Sequence, residues 1–130
     1  MIDITNFINE KLKVSSKSKI NQNTYSYYPK DKDELEEIVN KLIKERGENA
    51  DLNDIDTSKI TDMSHIFKYS PFNGNISSWD VSNVKNMRVM FAFSKFNGDI
   101  SHWDVSNVKD MHWIFYCSPL ENNPPKWYKN

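Results

Sequence analysis

The stretch FNGNISSWDVSNVKNMRVMFAFSK, from Phe72 to Lys95, is followed directly by FNGDISHWDVSNVKDMHWIFYCSP, from Phe96 to Pro119. A 24-residue period repeated with so few changes constrains the fold more than any other feature of the chain. The same offset reaches upstream and aligns Leu52 with Ile76 and Ile100, and Ile55 with Trp79 and Trp103. Thr57, Val81 and Val105 form a further column, as do Ile60, Val84 and Val108. Met63, Met87 and Met111 make another, followed by Ile66, Met90 and Ile114, then Phe67, Phe91 and Phe115. A broken last copy sets Leu120 under Phe96 and Trp127 under Trp103. Units patterned in this way bury their apolar side only by stacking on one another.

Within one copy the pattern changes kind. Ile76-x-x-Trp79-x-Val81 has the Leu-x-x-Leu-x-Leu spacing of a short strand with alternate residues inward. Met87, Met90 and Phe91 then recur at helical spacing, after Asn86, which like Asp62 and Asp110 is a suitable N-cap. Asn73-Gly74 and Asn97-Gly98 offer residues that tolerate positive φ at the return turn. The expected fold class is therefore an α/β repeat, a short leucine-rich-repeat-like solenoid of about three coils, each a strand plus a short helix.

Both ends of such a stack need covering. KDKDELEEIVNKLIKERG reads as an amphipathic helix with Leu35, Ile38, Val39, Leu42 and Ile43 on one face, Asp31 or Asp33 as N-cap and Gly47 as the stop. At the other end Pro124 and Pro125 block a fourth strand, because proline has no N–H to donate. Ile4, Phe7, Ile8 and Leu12 make a short apolar stripe after Asp3, followed by a polar connector. The chain divides into an N-terminal arm (residues 1–30), a capping helix (31–47), three coils (48–119) and a C-terminal cap carrying Pro-Pro-x-Trp (120–130).

The repeated unit Phe-Asn-Gly-Asp-Ile-Ser-x-Trp-Asp-Val-Ser-Asn-Val-x-x-Met resembles the bacterial surface-protein repeat of the DUF285 or BspA-like leucine-rich repeat family. The resemblance covers Asp33 to about Tyr128, and DLNDIDTSKITDM (Asp51 to Met63) is similar to that family's degenerate first coil. It implies a repeat-built binding surface, since members are often surface lipoproteins that bind host proteins or mediate adhesion. This chain departs from them in having few coils and no signal peptide or lipobox cysteine near its start. ITNFINEKLKVSSKSKI resembles N-terminal tags on proteins of tailed phages that infect gut Bacteroidota, which implies a phage-encoded protein.

Charge and composition narrow the function classes. Seventeen basic residues against eighteen acidic ones leave no basic excess for nucleic acid or anionic lipid, so neither is an expected partner. The single cysteine, Cys117, excludes an internal disulfide, and no run reaches membrane-spanning length. The expected location is the cytoplasm of a bacterial host, or a phage particle assembled there.

Candidate chemistry is sparse. Asp56, Asp80 and Asp104 point outward and stack about 5 Å apart, where repulsion should raise at least one pKa. A cation ladder is one account of them. The other, favoured because these aspartates belong to the repeated scaffold, is that they accept bonds from backbone N–H groups or from Ser58, Ser82 and Ser106. His65, His102, His112 and Cys117 match no zinc spacing, and three glycines leave no phosphate-cradling loop. No catalytic residue, metal or cofactor is assigned, and the chain is not expected to be an enzyme.

What the repeat lets vary should carry the function. In the helical half those columns hold Ser64, His65 and Lys68, then Arg88, Val89 and Ala92, then His112, Trp113 and Tyr116. Exposed aromatics beside arginine suit a protein interface. For Trp113 the competing account is packing beneath the C-terminal KWYKN. The leading expectation is a non-catalytic protein-binding module using Arg88, Val89, His112, Trp113 and Tyr116, and secondarily Ser78, Asp80, His102 and Asp104. Its partner is a protein, with a homo-oligomer also open. The alternatives are a phage structural or cargo protein addressed by residues 1–23 and an inhibitor of a host defence enzyme.

Overall fold

The structure, a computed structural model, describes residues 24–129. The stripe of Ile4, Phe7, Ile8 and Leu12 and the proposed tag lie outside the described residues.

Helix α1 spans Lys32–Arg46. Asp31 caps it, accepting the Glu34 N–H at 3.0 Å, while the Glu34 carboxylate reaches back to the Lys30 N–H at 2.8 Å. Gly47 ends it at φ 97, a conformation open to glycine, with its N–H on the Ile43 carbonyl. Leu35, Val39 and Leu42 are fully buried and join the core of the copies. The Arg46 guanidinium grips both oxygens of Asp54 at 2.9 and 3.0 Å and the Asp51 carbonyl at 2.9 Å, tying the helix end to the first copy.

The copies lie side by side in register, but they are not built of strands and helices. Among the described residues there are only α1, one turn of 3-10 helix (Pro119–Glu121) and four isolated parallel bridges, with no strand or sheet. The expected α/β strand-plus-helix solenoid is therefore not the fold. Each copy is a succession of reverse turns.

Two features explain the difference. In the half expected to be a strand, Asn75 and Asp80 accept the N–H groups of Ser77 and Ser82, at 2.9 and 3.0 Å, and fold the chain into Asx turns. Trp79 N–H then closes onto the Ile76 carbonyl, and Val84 N–H onto Val81. Asp99 and Asp104 repeat the arrangement with Ser101 and Ser106. The Ile-x-x-Trp-x-Val spacing thus places side chains inward at turn corners.

In the half expected to be helical, bonds close over three residues: Met90 N–H to Met87, Ala92 to Val89 and Ser94 to Phe91. Val89 (φ 48) and Phe93 (φ 58) are left-handed, as are His65, Tyr69, Trp113 and Cys117 in the same two columns. These residues end any helical run. Alternate amides are thereby turned outward to the next copy. Met63, His65, Phe67 and Tyr69 donate to the carbonyls of Asn86, Arg88, Met90 and Ala92, at 2.8 to 3.2 Å. Met87, Val89, Phe91 and Phe93 donate likewise to Asp110, His112, Ile114 and Tyr116. Asp62, Asn86 and Asp110 are accordingly not helix caps but Asx-turn acceptors for the N–H groups of Ser64, Arg88 and His112.

The glycine expectation changes too. Gly47 is the only glycine at positive φ among the described residues. Gly74 and Gly98 serve close approach instead: a methyl on Gly74 would run into the Ala50 carbonyl, and one on Gly98 into the Phe96 ring.

The inward columns hold. Phe67, Phe91 and Phe115 stack at 5.5 and 5.8 Å, with interplanar angles of 4° and 18°. Phe72, Phe96 and Leu120 form an eighth column, also buried, of which the alignment above recognises only the last two. Each buried phenylalanine contributes roughly 2–3 kcal/mol of transfer free energy. Val105, Val108 and Met111, in the last copy, are only partly buried. Trp127 covers that end, stacking on Trp103 at 6.4 Å.

Candidate aromatic and basic recognition surface

The left-handed columns leave an exposed row of rings across the copies. Tyr69 stacks on Phe93 at 5.0 Å, and Phe93 meets Tyr116 edge-on at 5.4 Å. Tyr116 stacks on Trp113 at 5.3 Å, and Trp113 on His112 at 4.7 Å. Tyr69, Phe93, Trp113 and Tyr116 are the large apolar side chains this face leaves in solvent, at 68%, 42%, 54% and 41% exposure. Trp113 is thus not packed beneath the C-terminal segment.

A depression of about 420 Å³ lies along these rings, lined by His65, Lys68, Arg88, Phe93, Trp113 and Tyr116, over a floor of Val89 and Ala92. No carboxylate lines it. The Lys68 ammonium sits 5.3 Å from the centre of the Tyr69 ring. Arg88 is half exposed, with Asp110 3.9 Å away. The His65 ring is exposed, yet desolvation by its neighbours, and then the charges on Lys32 and Lys68, lower its pKa below the ordinary value.

Of the residues expected here, Arg88, His112, Trp113 and Tyr116 come together on one face. Val89 is buried at 7% exposure and meets the depression only as part of its floor, as does Ala92 (1%), and Ser64 (6%) is buried as well. Sorting outward residues by helical period misplaces them, because the backbone is not helical. Tyr69 and Phe93 are contributors that sorting missed. Both stand two residues after a core phenylalanine, an alternation matching the alternate amides of the ladder.

The second set lies in the other half of the copies. Ser78 N–H is held by the Asn53 side chain at 2.9 Å. Asp80 accepts both the N–H and the hydroxyl of Ser82, at 3.0 and 2.6 Å, while Asp56 and Asp104 take the N–H groups of Ser58 and Ser106. Hydrogen bonds from Ser106 hold Asp104 below the usual carboxylate range, opposite to the rise expected from repulsion. The aspartates shape the turns. His102 is exposed beside a depression of about 710 Å³ that also meets Asp99, Pro124 and Lys126. Among the described residues no three His, Cys, Asp or Glu side chains are grouped to hold a metal, and no hydrogen bond joins Cys117 to His112.

No helix among the described residues is long and apolar enough to cross a membrane. No curated protein and no solved structure matches the chain. A family described as Mycoplasma protein of unknown function, DUF285, matches residues 33–130, roughly three quarters of the sequence. With the match spanning α1, the stacked copies and the Trp127 end, this chain belongs to the DUF285 family.

Proposed function

We propose that the chain is a non-catalytic protein-recognition module and that the row from Tyr69 to Trp113 is its contact surface. One observation carries the reading: four exposed aromatic side chains touch in sequence across the copies, beside Lys68 and Arg88, in a depression lined by no carboxylate. Aromatic rings and arginine supply most interface hot spots. The cationic lining favours an acidic segment of the partner that also carries an apolar side chain. Rigidity adds to this, because the backbone beneath the row is fixed by amide bonds between copies.

The test is affinity purification from the native host, with mass spectrometry, comparing wild type with the double variant Arg88→Ala and Trp113→Ala. The partner is lost while the melting temperature stays within a few degrees. A partner retained at wild-type level removes this surface from the account.

A further inference from the structure

The ladder that joins the copies runs in one direction and ends in donors. Met87, Val89 and Phe91 give their N–H groups to the third copy; the equivalent amides of that copy are those of Met111, Trp113 and Phe115. Among the described residues these three have no acceptor. The fourth amide of the row, Cys117, is taken by the Glu121 carboxylate at 3.0 Å. The C-terminal segment covers the side chains here, with Trp127 over Trp103 and Tyr128 edge-on to Phe115 at 5.3 Å, but it does not pair with the three amides. Beside them runs a groove of about 240 Å³ lined by Trp113, Phe115, Tyr116, Glu121 and Tyr128.

At the opposite end the matching row consists of acceptors, the carbonyls of Asp62, Ser64 and Ile66. That end is closed: Ser64 and Ile66 are buried, and α1 packs its apolar face into the same core. With two of its three carbonyl-bearing residues buried at that end, a second copy of this chain is poorly placed to offer its acceptor row to the donor row. We infer that the donor row is a main-chain docking site for a segment of a different protein that follows the same turn-built path as the copies. The two junctions between copies state what the row accepts: carbonyls of alternate residues on a segment running parallel, as at Asp62–Asn86 and Asn86–Asp110. Recognition is mainly through the main chain, with an apolar side chain of the segment entering the groove between Trp113 and Tyr128.

The test is amide hydrogen exchange by NMR on the full chain, with and without a synthetic peptide of the sequence 85–93, KNMRVMFAF, which fills this row for the first copy. In the free protein the amides of Met111, Trp113 and Phe115 exchange at least ~100-fold faster than those of Met87, Val89 and Phe91. Peptide at about 1 mM slows those three at least ~10-fold. Equal protection in the free protein overturns the inference, as does no slowing with peptide. Protection that grows with protein concentration alone makes a second copy the occupant and overturns the assignment to a different protein. Arg88→Ala leaves the peptide effect intact, which separates this site from the aromatic row.

Discussion

Trp127 donates its indole N–H to the Ile100 carbonyl at 2.7 Å, the bond Trp103 makes to Ile76 and Trp79 makes to Leu52, each 27 residues back. The last tryptophan therefore repeats the opening contact of a copy. It closes the core with the same contact the full copies use. Trp127→Ala should cost about 2–3 kcal/mol, since the side chain is only partly buried. Trp127→Phe, which keeps a ring but loses the bond to Ile100, should cost about 1 kcal/mol. Urea unfolding measures both.

Gly74 and Gly98 occupy equivalent positions but face different neighbours. A methyl on Gly74 meets backbone, the Ala50 carbonyl, whereas one on Gly98 meets chiefly the Phe96 ring. A ring can shift and a hydrogen-bonded carbonyl cannot, since Ala50 also accepts the Asn75 N–H at 2.9 Å. Gly74→Ala should cost about 3 kcal/mol or more, and Gly98→Ala about 1–2 kcal/mol. Equal losses in thermal denaturation would contradict the close-approach role.

His65 holds φ 66 with no glycine to ease it. Left-handed backbone costs a side-chain-bearing residue about 1–2 kcal/mol, against about 0.5–1 kcal/mol for glycine's extra freedom in the unfolded chain. His65→Gly should therefore raise the melting temperature slightly. Lys68→Gly, where φ is not positive, should lower it. The opposite signs are the check.

Arg46 lowers the Asp54 carboxyl below its model-compound value of 3.8, chiefly through hydrogen bonding. A depressed carboxylate stabilises the fold fully above 3.8, and the contribution is lost as pH falls from there through the folded value. Both side chains are about a third exposed, so screening limits the pair to about 0.5–1 kcal/mol. Asp54→Asn should be less stable than wild type by that amount at neutral pH. The gap should shrink at pH values below 3.8, as followed by urea midpoints.

The columns of Trp79, Met87 and Phe91 are legible in the sequence because stacking depends only on which side chains recur at one period. So are Asp31 and Gly47, whose cap roles follow from local chemistry. The backbone path is not. Ile76, Trp79 and Val81 fit a strand and a chain of turns equally well, and Met87, Met90 and Phe91 fit a helix. What decides is Asx chemistry at Asn75, Asp80 and Asn86, together with left-handed Val89, a residue whose β-branch argues against that conformation. The bond from the Val89 N–H to the His112 carbonyl of the next copy helps hold it there, and no local pattern announces that contact. The proposed contact surface inherits the error: the exposed Arg88, Trp113 and Tyr116 stand out by their variation, whereas Tyr69 and Phe93 emerge only when the backbone is turn-built.

Long-range HNCO correlation on isotopically labelled protein observes the amide ladder itself. The Phe67 amide should couple to the Met90 carbonyl, and Phe91 to Ile114, across bonds of 2.9 Å. A coupling from Phe67 to the Met63 carbonyl would instead make this segment a helix, and the stacked-turn architecture would be wrong.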